Sequence, residues 1–171
     1  MWDSVDVKMK AKKKVFVGMS GGVDSSASAA LLKKQGFDVT GVFIKVWYPD
    51  WLECDWRTER RDAMRASAHL EIPFITLDLA QEYKKSVIDN MTSEYSLGRT
   101  PNPDVLCNRD VKFGAFLKFA RAKGADFIAT GHYSRVDQSD SRFRLLASTD
   151  KEKDQSYFLW TLGQEELQHT L

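Results

Sequence analysis

Two short segments of the sequence carry residue types that could do chemistry. The first is a glycine- and serine-rich loop after an apolar run, Gly18-Met19-Ser20-Gly21-Gly22-Val23-Asp24-Ser25-Ser26. Adjacent glycines let the backbone bend tightly and approach an anion, and the N–H groups of a following helix supply hydrogen-bond donors. The serines add hydroxyl donors, and Asp24 offers either a carboxylate for a metal ion or a helix cap. This pattern predicts a phosphate-binding loop rather than an ordinary glycine turn.

The spacing of this loop excludes two common nucleotide-binding motifs. A Walker loop ends in Gly-Lys-Ser/Thr, whereas the first lysine after Gly18 is Lys33. The sequence also lacks the GxGxxG pattern of dinucleotide-binding sites. The loop therefore indicates phosphate binding outside both of these classes.

The second segment is a proline-containing stretch, 98–108, that carries a cysteine. We expect its two prolines to hold a rigid loop that places Cys107 beside the start of a helix. A thiol in such a position, near Arg109 and Lys112, is expected to ionise readily. Asp104 precedes the cysteine by three residues and is a candidate for moving a proton or orienting a base. A lone cysteine is more often a small buried apolar residue, but the rigid polar loop favours a reactive thiol.

The elements that must position these segments follow from the hydrophobic pattern. Apolar runs predict strands at 15–19, 39–46, 73–78 and 127–130, and helical spacing predicts helices at 23–35, 57–70, 80–97 and 109–123. This alternation predicts an α/β fold, a doubly wound parallel sheet with flanking helices. Ligands bind beyond the carboxyl ends of such strands, which is where the glycine loop follows its strand. Two short strands, 133–136 and 142–147, and a helical stretch complete the chain.

The glycine loop resembles the pyrophosphate-binding loop of the N-type ATP pyrophosphatases, which have an adenine nucleotide alpha hydrolase-like fold. Those enzymes activate an oxygen atom by adenylation and release pyrophosphate. The cysteine segment, GRTPNPDVLCN followed by KFGAFL, resembles the tRNA-specific 2-thiouridylases more narrowly. Further segments similar to that family are GVFIKVW at 41–47, GADFIATGHYSR at 124–135 and KDQSYFL at 153–159. The sequence is identified as a member of that family over 14–171.

This resemblance implies ATP-dependent 2-thiolation of the wobble uridine of tRNA. The C2 oxygen would be adenylated, and sulfur from a cysteine persulfide would then give 2-thiouridine, AMP and pyrophosphate. The implied cofactors are ATP and Mg²⁺, and the implied partners are tRNA and a persulfide sulfur-donor protein. Cys107 would be the nucleophile and Asp104 the acid or base. The residues expected to bind ATP are Gly18, Met19, Ser20, Gly21, Gly22, Val23, Asp24, Ser25, Ile44 and Gly131. Those expected to meet the target base or tRNA are Asn102, Pro103, Asp104, Lys153, Asp154 and Gln155.

The resemblance also divides the chain. Residues 1–13 would form a basic tail, 14–150 the ATP pyrophosphatase domain and 151–171 the start of a tRNA-contacting central region. The family has a second catalytic cysteine and further domains that this sequence does not contain, so we expect a segment of a longer protein. Two alternatives stand beside the thiolation hypothesis. One is another member of the ATP pyrophosphatases, and the other is a nucleotide- or tRNA-binding fragment without turnover.

Composition limits the setting of this chemistry. The 171 residues carry 25 Lys and Arg against 24 Asp and Glu, a net charge of +1, so any RNA contact must come from a local patch. Two cysteines do not make a disulfide framework, and the apolar stretches are too short for a membrane span. We therefore expect a cytoplasmic protein without a membrane partner. The two cysteines and three scattered histidines give no metal-ligand spacing. His132 is expected to lie beside the nucleotide pocket and to make a structural hydrogen bond, with a role in the site as the second interpretation.

Other residues are assigned solvent-facing or packing roles. The lysines within 8–14 and the arginines within 57–65 are expected to be solvated, with RNA contact as the second interpretation. Cys54 is expected to be non-catalytic, with zinc binding or redox pairing with Cys107 left open. The Trp-rich insert 47–56 is expected to pack against the domain rather than stack on a base.

Overall fold

A four-stranded parallel sheet organises the chain. The computed structural model describes residues 11–49, 51 and 56–171. Within that part, the sheet has the order β3-β2-β1-β4. Its strands are β1 (Lys14–Gly18), β2 (Asp38–Lys45), β3 (Phe74–Asp78) and β4 (Phe127–Ala129). The predicted strands agree with these within one residue at each end, and the predicted α/β fold with a parallel sheet and flanking helices is confirmed.

The strand order reverses at β1. In the parallel ladders on either side, Val17 pairs with Gly41 of β2 and with Ala129 of β4. The chain therefore builds the sheet outward from β1 through β2 and β3, and later returns to add β4 on the other edge of β1. Such a switch point opens a crevice at the carboxyl ends of the strands, where ligands bind in open α/β sheets.

Helices cover both faces of the sheet. The helical segments are α1 (Val23–Lys34), α2 (Trp56–His69), α3 (Ala80–Tyr83), α4 (Asp89–Ser96), α5 (Pro103–Leu106), α6 (Phe116–Ala122) and α7 (Gln164–Gln168). A π-helical turn, Lys84–Ile88, joins α3 to α4, and a π-helical segment, Cys107–Ala115, joins α5 to α6. A short 3₁₀ helix, Ser156–Leu159, precedes α7. The helix predicted over 80–97 is thus present, with one wide turn inside it.

The core consists of two layers separated by the sheet. Alternate residues of β1 point to opposite faces: Val15 and Val17 pack in one apolar cluster, and Phe16 in the other. Ala29 of α1 belongs to the first cluster, and Phe116 of α6 to the second. Both faces are therefore buried, which explains the near-continuous apolar character of the strands.

The last part of the chain packs on the same domain. Strands β5 (Ser134–Ser139) and β6 (Arg142–Ala147) form an antiparallel hairpin. The backbone of Thr170 forms a parallel bridge with Ile128, beside β4. Leu159 lies in the apolar cluster that contains Phe116. Within the described ranges, no helix has the length and apolar character needed to cross a bilayer.

One expectation about local structure is wrong. The stretch 98–108 is not a loop throughout, because a helix begins at Pro103. The side-chain oxygen of Asn102 accepts hydrogen bonds from the N–H groups of Asp104 and Val105, each at 3.2 Å. Proline suits the first position of this helix, because the N–H that it lacks would have no hydrogen-bond acceptor within the helix.

Candidate active site

A cavity of about 300 Å³ lies at the carboxyl ends of β1, β2 and β4. It brings together predicted site residues from separate parts of the chain. Those that line it are Gly18, Met19, Ser20, Asp24, Ser25, Ile44, Cys107, Gly131 and Gln155. The glycine loop and the cysteine segment therefore meet in one cavity, although 81 positions separate Ser26 from Cys107 in the numbering of the sequence.

The glycine loop is shaped by its contact with α2. Gly21 has φ +86°, and a Cβ there would lie 2.6 Å from the carbonyl oxygen of Glu59. Both the backbone conformation and the close approach require glycine at this position. The N–H of Ser20 donates to the Oγ of buried Ser25 at 3.1 Å, and the two hydroxyl groups lie 3.2 Å apart. The loop is thus held in shape by its own hydrogen bonds.

The first turn of α1 keeps donors for a ligand. Gly22 occupies the N-cap position and makes no side-chain cap bond to this turn, while its own N–H donates to the hydroxyl of Ser20 at 3.3 Å. The hydroxyls of Ser25 and Ser26 instead donate to the carbonyl oxygen of Gly22, at 3.2 and 2.9 Å. An uncapped helix start beside a cavity is suited to phosphate, because its N–H groups and the helix dipole both favour negative charge.

Asp24 does not cap the helix, so that alternative is wrong. Its carboxylate accepts a hydrogen bond of 2.9 Å from the hydroxyl of Tyr133. This bond raises the pKa of the Tyr133 hydroxyl, since the negative carboxylate opposes its ionisation. The Lys153 ammonium lies 5.6 Å from the centre of the Tyr133 ring. Tyr133 also exchanges two hydrogen bonds of 3.0 Å with Gln155, one through its N–H and one through its carbonyl oxygen.

Tyr133 therefore contacts three predicted site residues, Asp24, Lys153 and Gln155. Tyr133 itself was not among the predicted site residues. Its place in GADFIATGHYSR, directly after the cavity residues Gly131 and His132, was the available signal.

His132 lines the cavity, and its imidazole is neutral at pH 7. Its Nδ1 lies 2.7 Å from the hydroxyl of Thr130, and its ring lies 5.8 Å from that of Phe113. Burial lowers the pKa of His132 to about 4, with the positive charge of Lys112 adding to the effect. The expected structural hydrogen bond is confirmed.

Cys107 lies inside the helix, at the start of the π-helical segment, and lines the cavity. Its thiol is half-buried, and among the described residues it is in no disulfide. Burial raises the pKa of the Cys107 thiol, Lys112 lowers it and Asp104 raises it. The expectation of a readily ionised thiol is therefore wrong for this state of the site, because desolvation outweighs the nearby positive charge.

Three residues expected to meet the target base lie elsewhere. Asn102, Pro103 and Asp104 are not among the described residues that line this cavity. The Asn102 side chain is engaged in capping its own helix. Asp104 is exposed and is close enough to Cys107 for its charge to act on the thiol.

Asp154 also has a local role. Its carboxylate accepts hydrogen bonds from the N–H of Ser148 at 3.0 Å and from the N–H and hydroxyl of Ser156 at 3.1 and 2.9 Å. These bonds lower the pKa of Asp154. The carboxylate therefore shapes the loop that carries Lys153 and Gln155. Val23 of the glycine loop is exposed and, like Gly21 and Gly22, is outside the described cavity lining.

Several cavity residues were not predicted. They are Phe43, Val46, Glu59, Val111, Lys112 and Thr130. His132, which was expected beside the nucleotide pocket, also lines the cavity. Lys112 was considered only as a basic group near the thiol. Phe43 precedes the predicted Ile44 on β2, and Val46 directly follows that strand. Their position at the carboxyl end of a strand was the only sequence indication that they line the site.

Residues outside the cavity bear on the remaining expectations. Arg60 donates to the hydroxyl of Thr76 at 2.7 Å, and Arg65 pairs with Asp62 at 3.3 Å, so these arginines of α2 make local contacts. Trp56 packs against the first apolar cluster. Trp51 of the same insert is 84% exposed, so the expectation that it packs against the domain is wrong. The expectations for Cys54 and for residues 1–10 of the tail lie outside the described residues, as do positions 50 and 52–55 of the insert.

Metal ligands are sparse in the parts of the chain that the structure describes. No three His, Cys, Asp or Glu side chains are grouped there as a set for a metal ion. The carboxylates that line the cavity are those of Asp24 and Glu59. They are hard oxygen donors of the kind that Mg²⁺ takes together with phosphate oxygens and water.

Comparison with known proteins identifies relatives of this chain. A tRNA-specific 2-thiouridylase MnmA of Christiangramia forsetii is 52% identical over 167 residues, which cover 93% of this chain and 42% of that protein. The protein of the same name from Nitrosococcus oceani is 52% identical over 162 residues, covering 94% and 44%. The chain thus spans less than half the length of these relatives.

The fold has a counterpart among solved structures. The U34-tRNA thiolase NcsA from Methanococcus maripaludis matches with a TM-score of 0.50 and 22% identity, over 72% of this chain and 39% of that one. The sequence profile of the family described as "tRNA methyl transferase HUP domain" matches residues 13–171. The chain belongs to this family.

Proposed function

We propose that this chain is the ATP-binding and cysteine-bearing part of a tRNA sulfurtransferase that makes 2-thiouridine at the wobble position. The observation that carries this proposal is the shared cavity, which Ser20 and Ser25 of the glycine loop line together with Cys107. Adenylation and sulfur attack take place on the same C2–O group of the base. A nucleotide and a thiol that serve this reaction must therefore lie within reach of one another.

ATP would occupy the cavity with its phosphates on the glycine loop. The residues Gly18 to Ser25 would supply backbone N–H groups and hydroxyls, together with the uncapped start of α1. Ile44 and Gly131, on opposite sides of β1 in the sheet order, would frame the adenine and ribose. The apolar side chains of Phe43 and Val46 suit the adenine ring.

Mg²⁺ would accompany the nucleotide. Asp24 and Glu59 fit it as carboxylate donors, with phosphate oxygens and water completing the ligand set. When bound, the ion supplies positive charge that stabilises the departing pyrophosphate.

The reaction balances as follows. The C2 oxygen of uridine attacks the α-phosphorus of ATP, and pyrophosphate leaves. The outer sulfur of a persulfide carried on a second cysteine would then attack C2, the C2–O bond would break and AMP would depart with the original oxygen. Cys107 would be the nucleophilic cysteine beside the base: its thiolate would attack the inner sulfur of the persulfide, so that the S–S bond breaks, the transferred sulfur stays on C2 and a disulfide forms between Cys107 and the carrier cysteine. An external thiol would reduce that disulfide, and the exposed carboxylate of Asp104 would accept the thiol proton of Cys107. The base must leave its stack to enter such a cavity.

The remaining expectations form part of the same proposal. Asn102 and Pro103 would meet the target base from the start of α5, and Lys153, Asp154 and Gln155 would contact the tRNA. Residues 1–13 would be a basic tail, 14–150 the ATP pyrophosphatase domain and 151–171 the start of a tRNA-contacting region. A persulfide donor protein would supply the sulfur, and a reducing cytoplasmic setting would keep the thiol free.

The test is release of pyrophosphate from γ-labelled ATP in the presence of a tRNA transcript with uridine at the wobble position. A transcript with cytidine at that position is the matched control. Pyrophosphate release that depends on the uridine supports the proposal, and Cys107→Ser should leave this release intact while thiolation, assayed with a persulfide donor added, is lost. ATP binding without pyrophosphate release would favour a binding fragment without turnover. Pyrophosphate release that ignores the wobble base would favour another ATP pyrophosphatase.

A further inference from the structure

Lys112 shares the cavity with Cys107 and follows it by five residues in the same helical segment. Of the Lys and Arg residues that the structure describes, Lys112 alone lines this cavity. The side chain is partly buried, so its charge is less screened than that of a surface lysine.

The π-helical geometry explains how the two side chains meet. In an α-helix, residues advance by about 100°, so positions five apart point roughly 140° away from each other. In a π-helix, the backbone hydrogen bonds run between positions five apart, which brings those positions nearly above one another. The N–H of Phe116 donates to the carbonyl oxygen of Val111, five residues earlier, at the end of this segment. The wide turns therefore bring Lys112 to the face that carries Cys107.

The other charged and titratable groups around the thiol make this cation necessary. Asp104, one turn earlier, and Tyr83 of α3 are close enough to interact with the thiol electrostatically. Asp24 and Glu59 line the cavity from the glycine loop and from α2, and His132 beyond β4 is neutral. None of these groups supplies a positive charge, and a buried thiolate needs a positive partner to compensate its desolvation.

We propose that Lys112 is a positioning residue for Cys107, whose ammonium group stabilises the thiolate inside the cavity. The π-helical segment Cys107–Ala115 is the device that brings this charge to the thiol. The importance of the thiolate for sulfur transfer rests on the function proposed above. The contact between charge and thiol is testable without ATP or tRNA.

The test is the pH dependence of Cys107 alkylation by iodoacetamide, in a Cys54→Ser background that leaves a single thiol. The thiolate displaces iodide and forms a thioether, so the rate reports the ionised fraction. In Lys112→Met we expect the profile to move to higher pH, with a rate at pH 7.5 about three- to tenfold lower. Lys112→Arg should retain the original profile, because it keeps the charge. Lys118→Met, an exposed lysine of the same helix, is the matched control and should also match.

A Lys112→Met profile that coincides with those of the parent and Lys118→Met would overturn the proposal. If Lys112→Met does not fold, Lys112→Gln, which keeps a polar side chain of similar length, takes its place in the same comparison. In denaturant all variants should react alike, which shows that any difference comes from the fold. Because alkylation needs no substrate, a failure here is distinguishable from a failure of pyrophosphate release.

Discussion

A Cβ placed on Gly131 would lie 2.8 Å from the backbone nitrogen of Ser25. The segment that follows β4 therefore runs directly against the first turn of α1. The nearby carbonyl carbon of Asp24, at 2.9 Å from the same position, belongs to the backbone and has little freedom to move. Glycine at this position lets the segment after β4 and the first turn of α1 lie in contact and line the same cavity.

The first prediction concerns this close approach. In Gly131→Ala the new methyl group must displace the backbone of the glycine loop, so we expect ATP affinity to fall by about tenfold or more. Isothermal titration calorimetry with Mg-ATP measures the change. Gly124→Ala is the control, because Gly124 is outside the described cavity lining and a Cβ there would meet no atom within 4 Å. Its positive φ of +78° makes this substitution cost stability but leaves the cavity unchanged. Equal ATP affinities for the two variants would contradict this reading of the cavity.

The second prediction concerns the start of the cysteine helix. Asn102→Ala removes the acceptor that caps the N–H groups of Asp104 and Val105, and we expect it to cost about 1 kcal/mol of unfolding free energy. Asn102→Asp keeps an acceptor oxygen at this position and should retain most of the stability. Urea unfolding of the three proteins measures the difference. If Asn102→Ala is as stable as Asn102→Asp, the cap does not hold this helix in place.

The third prediction is a pH dependence of stability. The pKa of His132 is about 4 in the folded chain and near its ordinary value of 6.5 in the unfolded chain. Protonation therefore favours the unfolded chain. The stabilisation is complete above pH 6.5 and is lost as the pH falls from 6.5 towards 4, by at most about 3 kcal/mol.

Urea unfolding between pH 7 and pH 4.5 measures this loss. The carboxylates with lowered pKa, such as Asp154, titrate mainly below this range, so His132 is observed separately. His132→Asn should flatten the pH dependence in this interval. A variant that loses stability as steeply as the parent would show that another group is responsible.

The sheet could be predicted from the sequence because the relevant pattern is local. Val15 to Val17 form an uninterrupted apolar run that suits a strand buried on both faces, and the glycine loop directly follows. The position of the phosphate-binding loop at a sheet edge then follows from the general geometry of parallel sheets. Gly131 was expected in the site only through the family resemblance, since nothing local indicates its approach to Ser25.

The surroundings of the cysteine were harder to predict. The prolines around Asn102 suggested a loop, whereas Asn102 caps a helix that begins at Pro103. The Asn-Pro-Asp order matches a helix-start pattern that the loop prediction did not take into account. The π-helical segment has no periodicity that an α-helical reading would detect, so the side of the helix that carries Lys112 was not evident. Burial of the Cys107 thiol depends on packing between segments that are distant in sequence. The sequence therefore led us to expect a lowered pKa for this thiol, whereas burial raises it.

Protection of the Cys107 thiol by ATP tests most directly whether a nucleotide and this thiol share one cavity. The Cys54→Ser protein is alkylated at fixed pH with and without saturating Mg-ATP, and the rate at Cys107 is followed by mass spectrometry. Because the glycine loop and Cys107 line the same cavity, we expect bound ATP to slow alkylation several-fold, whereas inorganic phosphate at the same ionic strength should do so far less. If ATP binds and the alkylation rate of Cys107 is unchanged, the nucleotide and the thiol do not share this cavity.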